Sequence, residues 1–444
     1  MPPPAISRRA SYGPNSPVVG ARGARTRQQL LDVALAVFAE RGFHATLVED
    51  IAGAAGMSRA ALYQYFESRE QIAIELIEEC GAALMRVVRR LGPLDATAAG
   101  YDNLHWWLGE WSYVYDKYAT MFVQWAHIDS PKAALRPLIA TYVENYTARL
   151  AQRLRDSDVA GLDPEQTAIT LMTVVERVNY YRHTQGLPLS EQQLIDSLAV
   201  AVQRVLFPQT PLPVLVAMEH EGSTRRAPVA PDQATLVADP APDPAPERFA
   251  HLTGAAATSV QRLLQAGAAV FAEYGFRDAN VHQILLRAGL SRRTFYKYFA
   301  NKQDMLGVLT ERAETALAAV QHQFPVLARP APDGTNLTAW IGAMLDFQDA
   351  YWGVFRCWLE EDADPVAVRA REASLRPLVE AFTTAIRAQP HPDALDPVAG
   401  AWILLALLER LPHQGVGTRY ALGRQQLVDI ITTFTARGLL APPG

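Results

Sequence analysis

The sequence predicts an all-α protein in which one helical unit is written twice. Three observations lead there. Apolar and aromatic residues recur every three or four positions along most of the 444-residue chain, with no convincing strand alternation. The nonapeptide SRAALYQYF at Ser58 returns as SRRTFYKYF at Ser291. Around these peptides Phe38 pairs with Phe271, Gly42 with Gly275, Gly56 with Gly289 and Tyr63 with Tyr296, always 233 residues apart.

Over Arg27–Arg69 against Val260–Lys302, 19 of 43 positions are identical, far beyond chance. The offset persists at Trp107 and Trp340, slips to 240 at the two LRPL segments, and returns at Asp163 and Asp396, Glu176 and Glu409, and Gln192 and Gln425. A domain of about 200 residues has been duplicated, a period far longer than the ~20 to 50 residues of a solenoid repeat.

Composition sets the class. Hydrophobic residues make up 49% and charged residues 20%, the balance of a soluble globular protein. No apolar run reaches the ~18 to 20 residues of a membrane span, and MPPPAISRRASYGPNS lacks the apolar stretch of a signal peptide, so a cytoplasmic protein without membrane contact is expected. The two cysteines, Cys80 and Cys357, form no CxxC or disulfide framework and read as buried free thiols. A net charge of −5 argues against a nucleic-acid packaging protein but leaves room for local basic patches. Met1 to Glu70 holds eight basic and six acidic residues, and Ala250 to Arg312 eight and four.

The domains follow in order. Residues 1–24 read as a disordered arm with Arg8, Arg9 and Arg22, followed by Arg25 and Arg27; these are either a solvated tail or a source of phosphate and minor-groove contacts. Residues 25–72 form a first helix-turn-helix head and 73–207 a first helical body. A Pro-rich linker covers 208–250, a second head 251–305, and a second body 306–440.

Within the first head, Leu30, Ala34, Val37 and Phe38 share a helical face that ends near Gly42. A short second helix packs through Val48, Ile51, Ala52 and Ala55 and stops at Gly56, where a positive φ costs least. Ser58 and Ser291 are natural N-caps for a third helix of about eight residues. Ser68 with Gln71, and Asn301 with Asp304, cap the fourth. Two short helices around a Gly-containing turn make a helix-turn-helix. Asn280 caps the second helix of the second copy, whereas the first copy has Leu47 there.

The stretches AVFAERGFHATLVEDIAGAAGMSRAALYQYFESREQI and AVFAEYGFRDANVHQILLRAGLSRRTFYKYFANKQDM resemble the DNA-binding head of the TetR family of bacterial transcriptional regulators. The resemblance covers about 45 residues per copy and implies that the third helix enters the major groove of a double-stranded operator. It implies phosphate-backbone contacts for Tyr63, Tyr65 and Arg69, and for Tyr296, Tyr298 and Lys302. Tyr63 and Tyr296 could instead simply pack. Arg59, Ala60, Ala61 and Gln64 would face bases in the first copy, and Arg292, Arg293, Thr294 and Lys297 in the second, beside the capping Ser58 and Ser291. Arginine can pair with guanine, whereas alanine offers only apolar contact to a thymine methyl, so the two heads should prefer unlike half-sites. Phe66 and Phe299 are read as core.

The same resemblance implies a ligand-binding and dimerising body. In the first body Trp107, Trp111, Tyr118, Phe122 and Trp125 either fill the core or line a cavity for an apolar effector; Trp340, Phe347, Tyr351, Phe355 and Trp358 do so in the second. The final two helices of each body occupy the family's dimer-interface positions, so the halves are expected to pack as an intramolecular pseudo-dimer, or to swap into a further homodimer. Such pairing sets two heads ~34 to 36 Å apart, one DNA turn. The function that follows is a repressor reading an asymmetric or imperfectly palindromic operator and released by a lipophilic ligand. The competing reading is an all-helical small-molecule sensor or scaffold without DNA binding. No catalytic motif, metal-ligand spacing or cofactor motif is recognisable, so no enzyme is expected.

Overall fold

A computed structural model describes residues 21–43, 45–128, 135–157, 159, 161–216, 248–324, 335–359, 365–414 and 418–440. Among these residues every regular element is helical. Contacts divide the chain into two compact units, Met1–Val214 with Glu409–Ile430, and Leu215–Leu408 with Ile431–Gly444.

The first head consists of α1 (Ala21–Arg41), α2 (Val48–Ala54) and α3 (Arg59–Leu62). α1 begins at Ala21, inside the stretch expected as an arm; Arg8 and Arg9 lie outside the described residues. The body follows as α4 (Arg69–Arg90), α5 (Ala98–Ile128), α6 (Leu135–Arg155), α7 (Pro164–Thr184) and α8 (Glu191–Leu206). Leu30, Phe38, Ile51, Leu62 and Phe66 form the head core, and Ile72, Leu76 and Ile77 of α4 close it from below. Asp163 caps α7 by accepting from the N–H groups of Glu165 and Gln166 at 3.1 and 2.8 Å. Ser190 and Gln193 close a full capping box on α8, a cap type that stabilises a helix by about 1 kcal/mol.

The second copy repeats the pattern: α9 (Gly254–Asp278), α10 (Val281–Ala288) and α11 (Arg292–Tyr298) form the head. The remaining helices are α12 (Lys302–Gln321), α13 (Thr335–Leu359), α14 (Pro365–Arg387), α15 (Pro397–Arg410) and α16 (Arg424–Thr433), the last running into a π-helical turn over Phe434–Leu440. α5 and α13 bend at equivalent tyrosines, Tyr118 (φ −113°, ψ 20°) and Tyr351 (φ −114°, ψ 18°). Duplication has therefore preserved a backbone detail as well as a residue pattern.

Cys80 and Cys357 are buried free thiols, as expected. The second head starts earlier than residue 251. Phe249 packs edge-on against Phe299 at 5.4 Å, and Arg248 pairs with Asp304 at 2.6 Å, so these two residues of the expected linker belong to the head. Residues 217–247 lie outside the described residues.

Candidate nucleic-acid interface and body cavity

Local chemistry builds the two heads in parallel. Ser58 Oγ accepts from Ala61 N at 3.2 Å and Ser291 Oγ from Thr294 N at 3.2 Å, which starts each third helix at the same residue. The preceding turns pass through Gly56 (φ +66°) and Gly289 (φ +59°), left-handed conformations that a side chain would strain. Asn280 and Gln283 form a complete capping box on α10. At the equivalent Leu47 only half survives: Asp50 accepts from Leu47 N at 2.8 Å, and the leucine side chain offers no acceptor.

The third helices differ in length as well as in sequence. α11 keeps α-helical bonding to Tyr298, whereas α3 tightens after Leu62, with Gln64 N donating to Ala61 O and Tyr65 N to Leu62 O. The expectation of about eight residues holds more nearly for the second copy. Buried Leu62 and Phe66, and buried Phe295 and Phe299, pin each helix to its head. The opposite face is open. Ser58, Arg59, Ala60, Tyr63 and Gln64 are exposed, as are Ser291, Arg292, Arg293, Tyr296 and Lys297; Ala61, Tyr65, Thr294 and Tyr298 are half-buried.

The outward charges differ. Arg59 is ion-paired with Glu49 and reaches Tyr63 Oη at 3.4 Å. Its counterpart Arg292 lies over the Tyr296 ring at 5.6 Å, and His282 stands where Glu49 stands in the first copy. Arg293 and Lys297 add two cations with no equivalent in α3.

Arg69 and Lys302 also act inside the heads. Arg69 Nη1 donates to the carbonyls of Phe43 and Thr46 at 3.1 and 2.9 Å and lies over the Phe43 ring. Lys302 Nζ reaches the carbonyls of Phe276, Arg277 and Ala279 at 2.7 to 3.1 Å. Each cation ties the end of a first helix to the start of a fourth. A second tie comes from positions that the repeat does not equate: Arg27 pairs with Glu75 and the Tyr65 carbonyl, and Arg248 with Asp304 and the Tyr298 carbonyl.

In the first body a cavity of about 170 Å³ opens beneath the head. Ile77 and Met121 belong both to its lining and to the head core, so α4 and α5 join the two regions. Of the five expected first-body aromatics, Trp111 and Phe122 line it. Trp107 lies behind them and donates from Nε1 to Tyr146 Oη at 3.0 Å. Tyr118 is buried on another side, with Oη 3.4 Å from Glu79, and the Trp125 side chain lies outside the described residues. Tyr142, Tyr146 and Met172 complete much of the wall; the aromatic spacing on α5 alone did not point to them.

In the second body the aromatics meet one another. Phe347 lies 5.2 Å from Tyr351 and 5.4 Å from Phe355, and Phe355 lies 5.1 Å from Trp358. Trp340 packs on Phe324 and Phe382 at 4.9 and 5.7 Å.

Residues Glu409 to Ile430 of the second repeat fold with the first unit. Buried Arg177 pairs with buried Glu409, which also accepts from Tyr181 Oη, and Glu176 approaches Arg410 at 3.8 Å. Burial opposes the charge on Arg177, but Glu409 and the neighbouring tyrosines outweigh it and raise the pKa, so the guanidinium stays charged.

Among the described residues no helix is long and apolar enough to cross a membrane, and no cluster of His, Cys, Asp and Glu could hold a metal ion.

Comparison with known proteins gives sequence matches to both heads. The sequence pattern described as "Bacterial regulatory proteins, tetR family" occurs twice, over residues 30–76 and 263–309. The HTH-type transcriptional repressor KstR2 of Rhodococcus jostii (strain RHA1) is 48% identical over 58 residues, covering 13% of this chain and 28% of the relative. The KstR2 of Mycobacterium tuberculosis (strain ATCC 25618 / H37Rv) is 49% identical over 51 residues, 12% of this chain and 26% of its own. The probable acrEF/envCD operon repressor of Escherichia coli (strain K12) is 41% identical over 56 residues, 13% and 26% of the two chains. The matches thus span little more than a quarter of these relatives. Among solved structures, AibR in complex with isovaleryl coenzyme A and operator DNA aligns with 41% of this chain and 98% of its own at 16% identity and a TM-score of 0.33.

Proposed function

We propose that this chain, which carries two tetR-family heads in tandem, is a single-chain transcriptional repressor whose unlike recognition helices read an asymmetric or imperfectly palindromic operator. One observation carries the reading. The same capped helix-turn-helix is built twice, while the outward residues Ala60, Ala61 and Gln64 become Arg293, Thr294 and Lys297. A head that had lost DNA binding would have no reason to keep exposed cations on its third helix; the second copy has three, Arg292, Arg293 and Lys297. That favours the regulator over a sensor or scaffold.

Arg59, Ala60, Ala61 and Gln64 face bases in one half-site, and Arg292, Arg293, Thr294 and Lys297 in the other. Tyr63, Tyr65, Tyr296 and Tyr298 hold phosphates, with Arg69 and Lys302 at their flank. The repressor names of the relatives agree with this direction of control.

The two repeats pair as an intramolecular pseudo-dimer. Glu176 and Arg177 correspond to Glu409 and Arg410, and each arginine meets the glutamate of the other repeat. A reciprocal contact of this kind is what a two-fold axis produces. The paired halves act without an enzymatic step.

A lipophilic effector in the first-body cavity releases the DNA. α4 supports this reading: it closes the head core with Ile72 and Leu76, then lines the cavity with Cys80 and Leu84. An effector can shift the equilibrium only by binding the released form more tightly than the bound one. Footprinting on genomic fragments tests the DNA reading, and loss of protection on adding an apolar compound tests the release. A chain that protects no fragment at low salt contradicts the proposal.

A further inference from the structure

We infer that the chain holds one effector site rather than two, in the first body only, and that this site takes a small apolar molecule carrying one hydrogen-bond acceptor, such as a monocyclic ketone. Its regulatory consequence rests on the repressor reading above; its chemistry does not.

Size comes first. A cavity of about 170 Å³ is close to the ~150 Å³ apolar cavity that accommodates benzene, so one ring or a short branched chain fills it. Ile77, Leu84, Met121, Ile139 and Met172 give it an apolar wall, and the methionines adapt to shape.

Two donors break that apolar wall. Tyr146 Oη accepts from Trp107 Nε1, which leaves its own proton free to donate. Trp111 is fully buried, lines the cavity, and its Nε1 closes no hydrogen bond, although it lies near enough to Tyr146 to favour the phenolate. Burial outweighs that influence and keeps the phenol protonated. An unmet donor in so buried an indole calls for an acceptor, and a carbonyl oxygen between Trp111 and Tyr146 supplies it. No net charge faces the ligand: Glu176 lies against Arg410 at the cavity's end, and burial pushes the Cys80 thiol up to about 12.

The equivalent place in the second body has lost both donors. Trp111 corresponds to Met344, and Tyr146, in the helix where the offset is 240, corresponds to Ile386. Tyr142 becomes Phe382, which is buried against Phe324 at 4.6 Å and Trp340 at 5.7 Å. Gly81 becomes Glu314. Among the described residues, divergence after duplication has left both donors in the first body and neither at the equivalent positions of the second.

The test is calorimetric titration of the intact chain, without DNA, with acetophenone and ethylbenzene, the same ring with and without a carbonyl. Acetophenone is expected to saturate at one molecule per chain and to bind more tightly than ethylbenzene. Tyr146→Phe and Trp111→Phe should each weaken acetophenone ~5- to 10-fold, the worth of one hydrogen bond, and leave ethylbenzene unchanged, which also reports an intact cavity. Two molecules per chain, no acetophenone binding, or variants that weaken both probes equally or neither would overturn the inference. A chain that binds one acetophenone yet holds DNA as before keeps this site and removes the release mechanism.

Discussion

Arg177 and Glu409 form a buried ion pair inside the first unit although 232 residues separate them in the chain. Breaking such a pair from one side leaves an uncompensated buried charge. Glu409→Ala should therefore destabilise the protein by about 3 to 5 kcal/mol, whereas Arg177→Met combined with Glu409→Leu should be near neutral. Urea denaturation of the two variants measures this, and equal losses in both would remove the pairing from the account.

His413 follows on the same segment. Burial, with Arg410 nearby, pushes its pKa down to about 4, so the folded protein keeps it neutral while the unfolded chain protonates near 6.5. The unfolded state then binds the extra proton, and stability is lost as pH falls from about 6.5 towards 4, by up to about 3 kcal/mol from this residue. His413→Gln should flatten the stability profile over that window.

Glu49 restrains Arg59 on the exposed face of the first head that the proposed function turns to DNA. Glu49→Gln removes a carboxylate that repels phosphate and frees the arginine, so operator affinity should rise a few-fold at low salt. The matching loss, Lys297→Ala in the second head, should weaken binding and relax specificity at the base position it faces. Mobility-shift titrations at several salt concentrations report both.

Gly353 allows close approach of α13 to α9: a Cβ there would lie 2.1 Å from the Ala268 carbonyl oxygen. Arg356, one turn on, donates to the carbonyls of Ala272 and Glu273 at 2.7 and 2.9 Å. The first copy has Thr120 and Val123 at these positions, so the second head is fastened to its body in a way the first is not. Gly353→Ala should cost about 1 to 3 kcal/mol or more of stability in thermal or chemical unfolding, because a backbone atom cannot step aside as a side chain can.

A gain is expected at Leu47, exposed at the half-capped start of α2. Leu47→Asn installs the cap that Asn280 provides in the second copy and should stabilise the first head by about 1 kcal/mol.

What the sequence made legible was local or periodic. Ser58, Asn280 and Gly289 act on backbone groups within a few residues of themselves, and Phe66 and Phe299 keep the helical period of their cores, so their roles follow from spacing. What it hid depends on which distant surfaces meet. Arg27 and Arg248 do one job from positions 221 residues apart, off the repeat's own offset, because a long guanidinium reaches its carbonyl from either direction. The aromatic stripe on α5 pointed to Trp107 and Trp111 alike; only packing against α6 decides that Trp107 turns to Tyr146 while Trp111 faces the cavity. The bends at Tyr118 and Tyr351 carry no proline to announce them.

The most direct measurement is footprinting of the intact chain on its selected operator, with binding stoichiometry, for the native protein, Arg59→Ala and Arg293→Ala. The account predicts one chain protecting two unlike half-sites, each half weakened by its own variant alone. Two chains on a symmetric palindrome, with both variants weakening both halves equally, would contradict it.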